Sequence, residues 1–450
     1  MSHPVTLPAQ PTPLRVGLLG FGTVGSGTCQ VLARNAHLIR ARAGRPIELR
    51  MIATRTPERA RQGVASEIAL VPNAHDLVNH PDLDVVVEAI GGCGVARDLV
   101  LQAIAQGKHV VTANKALLAE HGDEVFAAAA RHNVTVAFEG AVAVSIPIVK
   151  ALREGLAAND VQWLAGIVNG TSNFILTQMR EHGTTFQAAL AEAQRLGYAE
   201  ADPSFDVDGI DAAHKLALLA SLAFGMPLRY QQIQPKGIAS LEAADFEGAA
   251  ALGYTIKLLA TAKKTEQGVA LGVQPTLIPK DSLMGKVDGS MNGVMVKSDA
   301  AGLTMYYGAG AGSEQTASAV VADLVDIARD ANNTQANRVP HLGFHEQPLA
   351  APHIIAPQDR QGCFGVRFAL APGLPGTHGD TAQVLNALAR HGVRVAYSHQ
   401  WTTQAQPERR QLFLLTETTT LGTLLAATQK AETLPLVGGR ASVLPVEELG

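Results

Sequence analysis

The chain has few of the residues on which disulfide-rich, zinc-dependent and membrane proteins depend. It contains three cysteines in 450 residues and neither a CxxC pair nor an HExxH motif. We therefore expect neither a disulfide framework nor a thiolate zinc site. No apolar run approaches the ~20 residues that a membrane-spanning helix needs. The net charge is −4 and no long basic run occurs, which disfavours a nucleic-acid-binding protein.

The beginning of the chain also lacks a targeting pattern. Prolines occur at positions 4, 8, 11 and 13, and no basic cluster is followed by the apolar stretch that a signal peptide requires. We expect residues 1–13 to be a flexible leader and the protein to be cytoplasmic. The hydrophobic share of 47 % and the charged share of 17 % are typical of folded domains, and the length favours two or three of them.

Short apolar runs alternate with helical patterns in the first third of the chain. They predict five strands and, after the first of them, a helix at 24–39. The strands are predicted at 14–19, 47–53, 84–90, 109–112 and 134–138. This alternation predicts an α/β fold with a doubly wound parallel sheet, a Rossmann domain, at 14–150. A helix near 313–338 is expected to complete that domain.

The remaining sequence divides into three further segments. Between 151 and 312, helical patterns and short alternating runs predict a mixed α+β domain. Residues 339–362 are rich in proline and indicate a linker. Residues 363–450 show a strand–helix–strand rhythm, which predicts a small C-terminal βαβ domain.

A glycine-rich motif joins the first predicted strand to the first predicted helix. It reads Gly20-Phe21-Gly22-Thr23-Val24-Gly25 and matches GxGxxG in the strand–turn–helix setting that dinucleotide binding requires. The first glycine allows the tight turn, the second lets the backbone approach a pyrophosphate, and the third lets helix and strand pack closely. The helix N-terminus then offers N–H groups to the phosphates. A glycine-rich turn without a ligand is the alternative interpretation.

The end of the second predicted strand favours NADP over NAD. NAD enzymes place an acidic residue there for the ribose hydroxyls, whereas this chain has Ala53-Thr54-Arg55. A carboxylate ~4 Å from a 2′-phosphate would cost about 4 kcal/mol at an effective dielectric of about 20, and no acid is present. A solvated surface charge is the alternative for Arg55, and NAD stays open as a cofactor.

Three segments carry residues suited to chemistry on a small polar substrate. The segment 112–115, Thr-Ala-Asn-Lys, ends a predicted parallel strand, the edge at which open α/β sheets bind ligands. Asp211 and Lys215 are four residues apart and share one face of a helix that continues as LALLASLAF. The loop 169–173 can cap a helix or hold a ligand. The alternatives are an exposed lysine at a helix start and an ordinary surface ion pair.

These motifs together resemble those of the homoserine dehydrogenases. GFGTVG at 20–25, TANK at 112–115, NGTSN at 169–173, GYAEADP at 197–203, and DVDG followed by D-x-x-x-K at 206–215 all occur in that family's order. The resemblance covers about residues 14–330. It implies a homo-oligomeric enzyme in which 151–312 serves catalysis and dimerisation. The implied reaction is the reversible NAD(P)-dependent interconversion of L-homoserine and L-aspartate 4-semialdehyde, on the route to threonine and methionine.

The resemblance also implies roles for residues at matching positions. Lys215 is the expected proton donor, Asp211 positions it, and Lys115 assists catalysis. The expected substrate-binding residues are Glu200, Asp206, Lys115, Gly170 and Thr171. The expected cofactor-binding residues are Gly20, Phe21, Gly22, Thr23, Val24, Gly25, Arg55, Lys115 and Gly312. The expected ligands of a sodium-like monovalent cation are backbone carbonyls at Glu139, Val142, Val144 and Ile146.

The C-terminal segment 363–450 resembles an ACT regulatory domain with an altered loop. Where such domains have roughly Asp-x-Pro-Gly after their first strand, this chain has Ala371-Pro372-Gly373-Leu374-Pro375-Gly376, with His378 and Asp380 beyond. Two roles therefore stay open for this segment, a threonine effector site and a tail that only supports dimerisation.

Three other functions remain as alternatives. An aspartate-semialdehyde dehydrogenase would need an acylating cysteine, for which Cys93 at a predicted strand end is the candidate. A dinucleotide-sensing regulator would not need the Lys215–Asp211 pair. A metal-dependent alcohol dehydrogenase is disfavoured because the 15 histidines form no ligand motif. His214, about 100° from Lys215 around the helix, is not expected to be catalytic.

Overall fold

The computed structural model describes residues 11–330, 339–345, 352–371, 379–402 and 410–449. The chain forms two compact units, one from residues 1–157 and 311–348 and the other from residues 158–310 and 349–450. Most of the expected leader and most of the altered loop at 371–376 lie outside the described residues. No helix among the described residues is long and apolar enough to cross a membrane.

The elements are numbered along the chain. Up to residue 157 they are β1 (Leu14–Leu19), α1 (Thr23–Arg34), α2 (Ala36–Ala43), β2 (Ile47–Ala53), α3 (Pro57–Arg61), β3 (Ala69–Val71), α4 (Ala74–Val78), β4 (Val85–Glu88), α5 (Val95–Ala105), β5 (His109–Thr112), α6 (Lys115–Arg131), β6 (Val136–Ala137) and α7 (Ile148–Lys150). Up to residue 310 they are β7 (Val161–Ile167), α8 (Gly170–His182), α9 (Phe186–Arg195), α10 (Ser204–Val207), α11 (Ile210–Phe224), α12 (Ala243–Ala251), β8 (Tyr254–Thr265), β9 (Gly268–Pro279), β10 (Met291–Ser298) and β11 (Gly302–Ala309). The remainder are α13 (Ser313–Asp330), β12 (Gln361–Leu370), α14 (Gly379–Arg390), β13 (Val395–Thr402), β14 (Arg410–Thr416), β15 (Thr419–Thr420), α15 (Leu421–Ala431) and β16 (Ser442–Val446).

The first unit contains a six-stranded parallel sheet with strand order β3-β2-β1-β4-β5-β6. This is the doubly wound order of Rossmann folds, in which the direction of winding reverses between β1 and β4. The central strands are buried on both faces because helices cover them, which explains their continuous apolar runs. The predicted α/β fold with a doubly wound sheet is confirmed.

The helix α13 returns to the first unit and packs on α1. Its apolar residues Ala317, Val320 and Leu324 share one core with Val16 and Leu18 of β1. The two helices approach closely because Gly27 has no side chain where Ser313 lies. The predicted helix near 313–338 thus begins where expected, and residues 331–338 lie outside the described part of the chain.

Three local features of this unit differ from the sequence prediction. The strand expected at 134–138 is only Val136–Ala137. The helix expected at 24–39 is two helices, because Asn35 leaves helical geometry at φ −105° and ψ 16°. The strand expected at 84–90 ends at Glu88, whose carboxylate accepts the N–H groups of Ile90 and Gly91 at 2.9 and 2.8 Å. These bonds turn the chain away from the sheet, and Gly91 is left-handed at φ 75°.

The second unit contains a large mixed sheet with strand order β11-β10-β7-β8-β9-β16-β12-β14-β13, and β15 pairs with β12. Neighbouring strands are antiparallel except β16 and β9, which pair in parallel through Val446 and Leu277. Helix α11 is buried except for Ile210, and its ionisable residues Asp211, His214 and Lys215 lie in its first two turns, before the apolar run LALLASLAF. The predicted mixed second sheet is confirmed.

The C-terminal part of this unit has the element order β-α-β-β-α-β, with strands in the order β16-β12-β14-β13. This is a ferredoxin-like arrangement, larger than the predicted βαβ unit because α15 and β16 were missed. This C-terminal part is joined to α12 by the buried side chain of Arg367. Arg367 Nε donates to Asp245 Oδ1 at 2.7 Å, and Arg367 Nη2 donates to Glu242 Oε2 at 2.8 Å.

The expected linker at 339–362 is wrong for its second half. Residues 352–360 run beside β9, where Val269 N donates to His353 O at 2.8 Å and Ile355 N donates to Val269 O at 3.0 Å. Strand β12 already begins at Gln361. The prolines indicated an irregular segment correctly, but pairing with a distant strand edge is invisible in the local sequence.

Two buried carboxyl groups lie side by side in the first unit. Asp323 Oδ2 accepts the backbone N–H of Glu139 at 2.9 Å, and the Glu139 carboxylate accepts those of Val149 and Lys150 at 2.9 Å. Burial raises the pKa of Asp323 well above its usual range, and the neighbouring Glu139 raises it further. Burial also raises the pKa of Glu139, which the two N–H donors partly offset.

We predict that Asp323→Asn changes how stability depends on pH. An acid with a higher pKa in the folded than in the unfolded state binds more protons when folded, so stability falls as pH rises from about 4. One such group contributes a slope of up to about 1.4 kcal/mol per pH unit within its window. Chemical denaturation across pH should give Asp323→Asn a shallower decline than the unsubstituted protein. The exposed control Asp123→Asn should keep the original slope, and parallel curves for Asp323→Asn would refute the prediction.

Candidate active site

The glycine-rich loop in the first unit has the geometry of a phosphate-binding turn. Gly20 follows β1 in the left-handed region at φ 96°, and a Cβ on Gly25 would overlap the carbonyl oxygen of Gly20. A Cβ on Gly22 would meet no atom within 4 Å. The loop is therefore closed at Gly20 and Gly25 and open at Gly22, the N-cap of α1, and the first N–H groups of a helix have no partner within the helix. Phe21, Thr23 and Val24 complete this turn as expected.

The side chain of Arg55 lies just after β2, as the sequence predicts. Arg55 is exposed, and the two residues before it, Ala53 and Thr54, are buried. No acidic residue lies at the end of this strand. The position fits the role of a ribose-2′-phosphate partner, which is a cation at the end of the second strand.

The segment 112–115 is fixed by hydrogen bonds at the carboxyl ends of β4 and β5. Thr112 Oγ1 donates to Glu88 Oε2 at 2.6 Å, and Asn114 Nδ2 donates to Gly92 O at 2.7 Å. Asn114 Oδ1 accepts the N–H of Leu117 at 3.1 Å and so caps α6, which begins at Lys115. The position of Lys115 was expected from the sequence, whereas the Glu88 carboxylate that holds the segment was not.

Gly312, an expected cofactor-binding residue, comes directly before the residue that joins α13 to the glycine-rich loop. It precedes α13 at φ 138°, a conformation that L side chains rarely adopt. Ser313 Oγ donates to the carbonyl oxygen of Thr23 at 2.6 Å. This bond joins the start of α13 to the start of α1.

We predict that a methyl group added at Gly22 weakens cofactor binding, whereas one added at Gly25 lowers the stability of the fold. Gly22→Ala should preserve the thermal midpoint and weaken NADPH binding, because its methyl occupies the space into which a pyrophosphate would fit. Gly25→Ala should lower stability by about 1–3 kcal/mol, because the methyl overlaps backbone. Thermal unfolding and fluorescence titration with NADPH measure both effects. Unchanged NADPH affinity in Gly22→Ala would show that the loop does not bind the dinucleotide.

A buried ion pair lies at the end of β7 in the second unit. Lys215 Nζ donates to Asp211 Oδ2 at 2.8 Å and to the carbonyl oxygen of Val168 at 2.6 Å. The two side chains are 6 % and 3 % exposed, so the interpretation as a surface ion pair is wrong. Lys215 is thus a cation held at a strand end by one carboxylate and one carbonyl.

Asn169 connects this pair to the start of α8. Its Oδ1 accepts the N–H of Ser172 at 2.8 Å, which caps the helix. Its Nδ2 donates to Asp211 Oδ2 at 2.8 Å and to Asp206 Oδ1 at 2.7 Å. The structure therefore brings together Asp206, Asp211 and Lys215, which the sequence placed only on neighbouring turns, and adds Asn169 as the amide that links them.

Gly170 and Thr171, two further expected substrate-binding residues, form the start of α8. Thr171 Oγ1 donates to the carbonyl oxygen of Tyr198 at 2.8 Å. Gly170 passes so close to the backbone of Ser290 that a Cβ there would lie 2.6 Å from its carbonyl oxygen. Glu200 is exposed, and its backbone carbonyl accepts Gln194 Nε2 at 3.0 Å.

A second buried lysine, which the sequence analysis missed, supports α8 from its other side. Lys257 in β8 is 1 % exposed, and its Nζ donates to Val287 O and to Asp288 Oδ1, each at 2.6 Å. Arg180 Nη1 donates to the same carboxylate at 2.8 Å, and Asn173 Nδ2 donates to Val287 O at 3.0 Å. These bonds hold the turn after residue 286 against α8. In the sequence, a lysine within the apolar run of β8 could have indicated this buried contact.

The four residues expected around a cation form one turn of the first unit. Glu139, Val142 and Ile146 are buried, and Val144 has φ 52°. A β-branched residue rarely adopts this left-handed conformation, which persists only where its surroundings enforce it. The Glu139 carboxylate accepts the backbone N–H groups of Val149 and Lys150, which fixes the side chain within this turn.

Neither Cys93 nor His214 has the surroundings of a catalytic residue. Burial and the nearby carboxylates of Glu120 and Glu88 raise the pKa of the Cys93 thiol, which opposes an acylating thiolate. His214 lies between the rings of Phe205 and Tyr230, with centroids at 5.5 and 4.2 Å. This packing agrees with the expectation that His214 has no catalytic role.

The first unit contains a Rossmann sheet with an open glycine-rich turn, and the chain also holds a buried lysine–aspartate pair at a strand end. These two features define a nicotinamide-dependent oxidoreductase. Two family descriptions match the sequence: "Homoserine dehydrogenase, NAD binding domain" at residues 20–139 and "Homoserine dehydrogenase" at residues 147–325. The chain belongs to the homoserine dehydrogenase family. This membership decides against the aspartate-semialdehyde dehydrogenase, the non-catalytic regulator and the metal-dependent alcohol dehydrogenase.

Relatives and solved structures agree with this assignment. A homoserine dehydrogenase of Pseudomonas aeruginosa is 49 % identical over 437 residues, which cover 97 % of this chain and 99 % of that protein. The crystal structure of a homoserine dehydrogenase from Thiobacillus denitrificans matches with a TM-score of 0.91 at 49 % identity, covering 98 % of this chain and 99 % of that one. A hyperthermophilic archaeal homoserine dehydrogenase in complex with NADPH matches with a TM-score of 0.60 at 26 % identity, covering 70 % of this chain and 97 % of that one.

Proposed function

We propose that this chain interconverts L-aspartate 4-semialdehyde and L-homoserine with NADP as its cofactor and Lys215 as the proton donor. The observation that carries the proposal is the buried Lys215–Asp211 pair, which Asn169 links to Asp206. Aldehyde reduction creates negative charge on oxygen as hydride arrives, and a fixed ammonium is the group that stabilises and protonates such an oxygen. The substrate also carries an ammonium, for which Asp206 and Glu200 supply carboxylates.

The residues of the chain divide the proposed chemistry between them. When bound, the reduced nicotinamide supplies the hydride. Lys215 donates a hydrogen bond to the substrate carbonyl oxygen and transfers a proton to the alkoxide, and in the reverse direction it takes up the hydroxyl proton. Asp211 and the Val168 carbonyl hold the ammonium in place, so little reorganisation is needed during the reaction. Lys115 helps to place the cofactor at the carboxyl edge of the parallel sheet.

We predict that Lys215→Ala lowers kcat about 10²–10⁴-fold, the usual contribution of a positioned acid, while NADPH still binds. Because the substitution leaves Asp211 buried without its cation, Lys215→Arg serves as a second variant. It keeps the charge but cannot release a proton near neutral pH, so it should fold and also lose turnover. Steady-state rates, NADPH titrations and circular dichroism check these outcomes.

The matched control for this prediction is Lys280→Ala, which removes an exposed lysine of the same unit. Its kcat should equal that of the unsubstituted protein. Full turnover in folded Lys215→Arg would remove Lys215 from the role of proton donor.

We further propose that Arg55 selects NADP by pairing with the 2′-phosphate. Support comes from its exposed position after β2, the lack of an acid there, and the NADPH bound to the archaeal relative. An arginine pairs with a phosphate through charge-assisted hydrogen bonds, whereas the unphosphorylated ribose of NAD offers it no anion.

We predict that Arg55→Ala raises the Kd for NADPH roughly 10–100-fold, because a hydrogen bond to a charged group contributes about 1.5–3 kcal/mol. The Kd for NADH should stay unchanged. Parallel titrations with both dinucleotides measure this selectivity, and Arg131→Ala at the end of α6 is the control for general loss of positive charge. Equal weakening for NADPH and NADH would contradict the role of Arg55.

We also propose a bound cation, a homo-oligomer and a threonine effector. We propose that carbonyl oxygens of Glu139, Val142, Val144 and Ile146 hold a sodium-like cation that fixes this turn, and the left-handed Val144 fits such a carbonyl cradle. A homo-oligomer and a threonine effector at the ferredoxin-like C-terminal part follow from the family resemblance. Light scattering and homoserine oxidation with and without threonine distinguish an effector site from a tail that only supports dimerisation.

A further inference from the structure

Three side chains of the first unit bring metal-binding atoms together, and the proposed reaction assigns a role to none of them. The thiol of Cys93, a carboxylate oxygen of Glu120 and a ring nitrogen of His121 all lie within 4.8 Å of one another. Cys93 lies in the turn between β4 and α5, whereas Glu120 and His121 lie on α6. Because the ligands come from separate elements, no sequence motif announced them.

The donor set matches one particular class of ion. Thiolate sulfur, imidazole nitrogen and carboxylate oxygen are the ligands of zinc, and three protein ligands leave a fourth position for water or another small ligand. A tetrahedral ion with bonds of about 2.0–2.3 Å holds its ligands roughly 3.5 Å apart. The ligand atoms, which lie within 4.8 Å of one another, therefore need to approach by at most about 1 Å, and Cys93 and His121 are partly exposed and Glu120 is exposed.

The charge around the thiol favours a cation. The carboxylates of Glu120 and Glu88 both act electrostatically on the Cys93 thiol. The same negative charges attract a divalent ion, which displaces the thiol proton to solvent as it binds. One proton is released and one sulfur–metal bond forms, with no change in oxidation state.

The turn that carries Cys93 is already fixed. The Glu88 carboxylate accepts the N–H groups of Ile90 and Gly91 at 2.9 and 2.8 Å, and Asn114 Nδ2 donates to Gly92 O at 2.7 Å. The thiol is therefore presented to α6 from a turn with little freedom to lose, which lowers the entropic cost of coordination. We propose that Cys93, Glu120 and His121 bind one zinc ion with an open coordination position.

Titration of the metal-free full-length protein with Co²⁺ tests this site. Thiolate coordination gives a sulfur-to-cobalt charge-transfer band in the near ultraviolet, which should saturate at one equivalent and disappear on adding Zn²⁺. Cys93→Ser should abolish the band, and Glu120→Gln and His121→Asn should each weaken cobalt binding at least about tenfold, because the loss of an outer-shell partner alone costs about that much. Cys363→Ser, which removes the thiol of β12 in the second unit, should leave the titration unchanged.

A second readout keeps the test independent of folding defects and of enzyme activity. The number of thiols that react with a disulfide reagent should fall by one on adding Zn²⁺ to the unsubstituted protein and to Cys363→Ser, but not to Cys93→Ser. Circular dichroism of the metal-free variants verifies their fold. An absent band in the unsubstituted protein, or a band and thiol protection that persist in Cys93→Ser, would overturn the site.

Discussion

The fold of the second unit depends on a buried ion pair, in which Lys215 and Asp211 are removed from water and must be stabilised by other groups of the protein. An ion buried alone costs several kcal/mol, and a buried pair is tolerated only with good geometry and further hydrogen bonds. Lys215 and Asp211 meet both conditions, because Val168 supplies a carbonyl to the ammonium and Asn169 supplies an amide to the carboxylate. The end of β7, the start of α8 and the first turn of α11 are thereby held at one point. The position of the lysine is a property of the fold rather than of one flexible side chain.

A second network of charged side chains also contacts α8. Lys257 and Arg180 neutralise Asp288, and Asn173 joins them to the backbone of the turn after residue 286. Helix α8 is therefore fixed at its first turn by Asn169 and along its length by this second network. An aldehyde and a proton donor must be aligned to within a fraction of an ångström for efficient transfer, and two buried networks on one helix provide rigidity of that kind.

Features governed by neighbouring residues were predictable from the sequence. The GxGxxG turn imposes steric limits at Gly20 and Gly25 that the motif itself encodes, and the four-residue spacing of Asp211 and Lys215 is a helix property. Features that depend on residues far apart in sequence were not predictable. The bond from Asn169 to Asp206, the support from Lys257 and the pairing of Val269 with residues near His353 all arise from the tertiary fold. Periodicity also could not show that Asn35 divides a helix, because the apolar pattern continues across it.

A crystal structure of the full chain with NADP⁺ and L-homoserine bound tests the role of Lys215 most directly. Lys215 Nζ should lie within about 3.2 Å of the homoserine hydroxyl oxygen, as proton transfer requires, while keeping its bonds to Asp211 and to the Val168 carbonyl. A homoserine hydroxyl distant from Lys215, with another side chain or a water in hydrogen-bonding contact instead, would contradict the proposed mechanism.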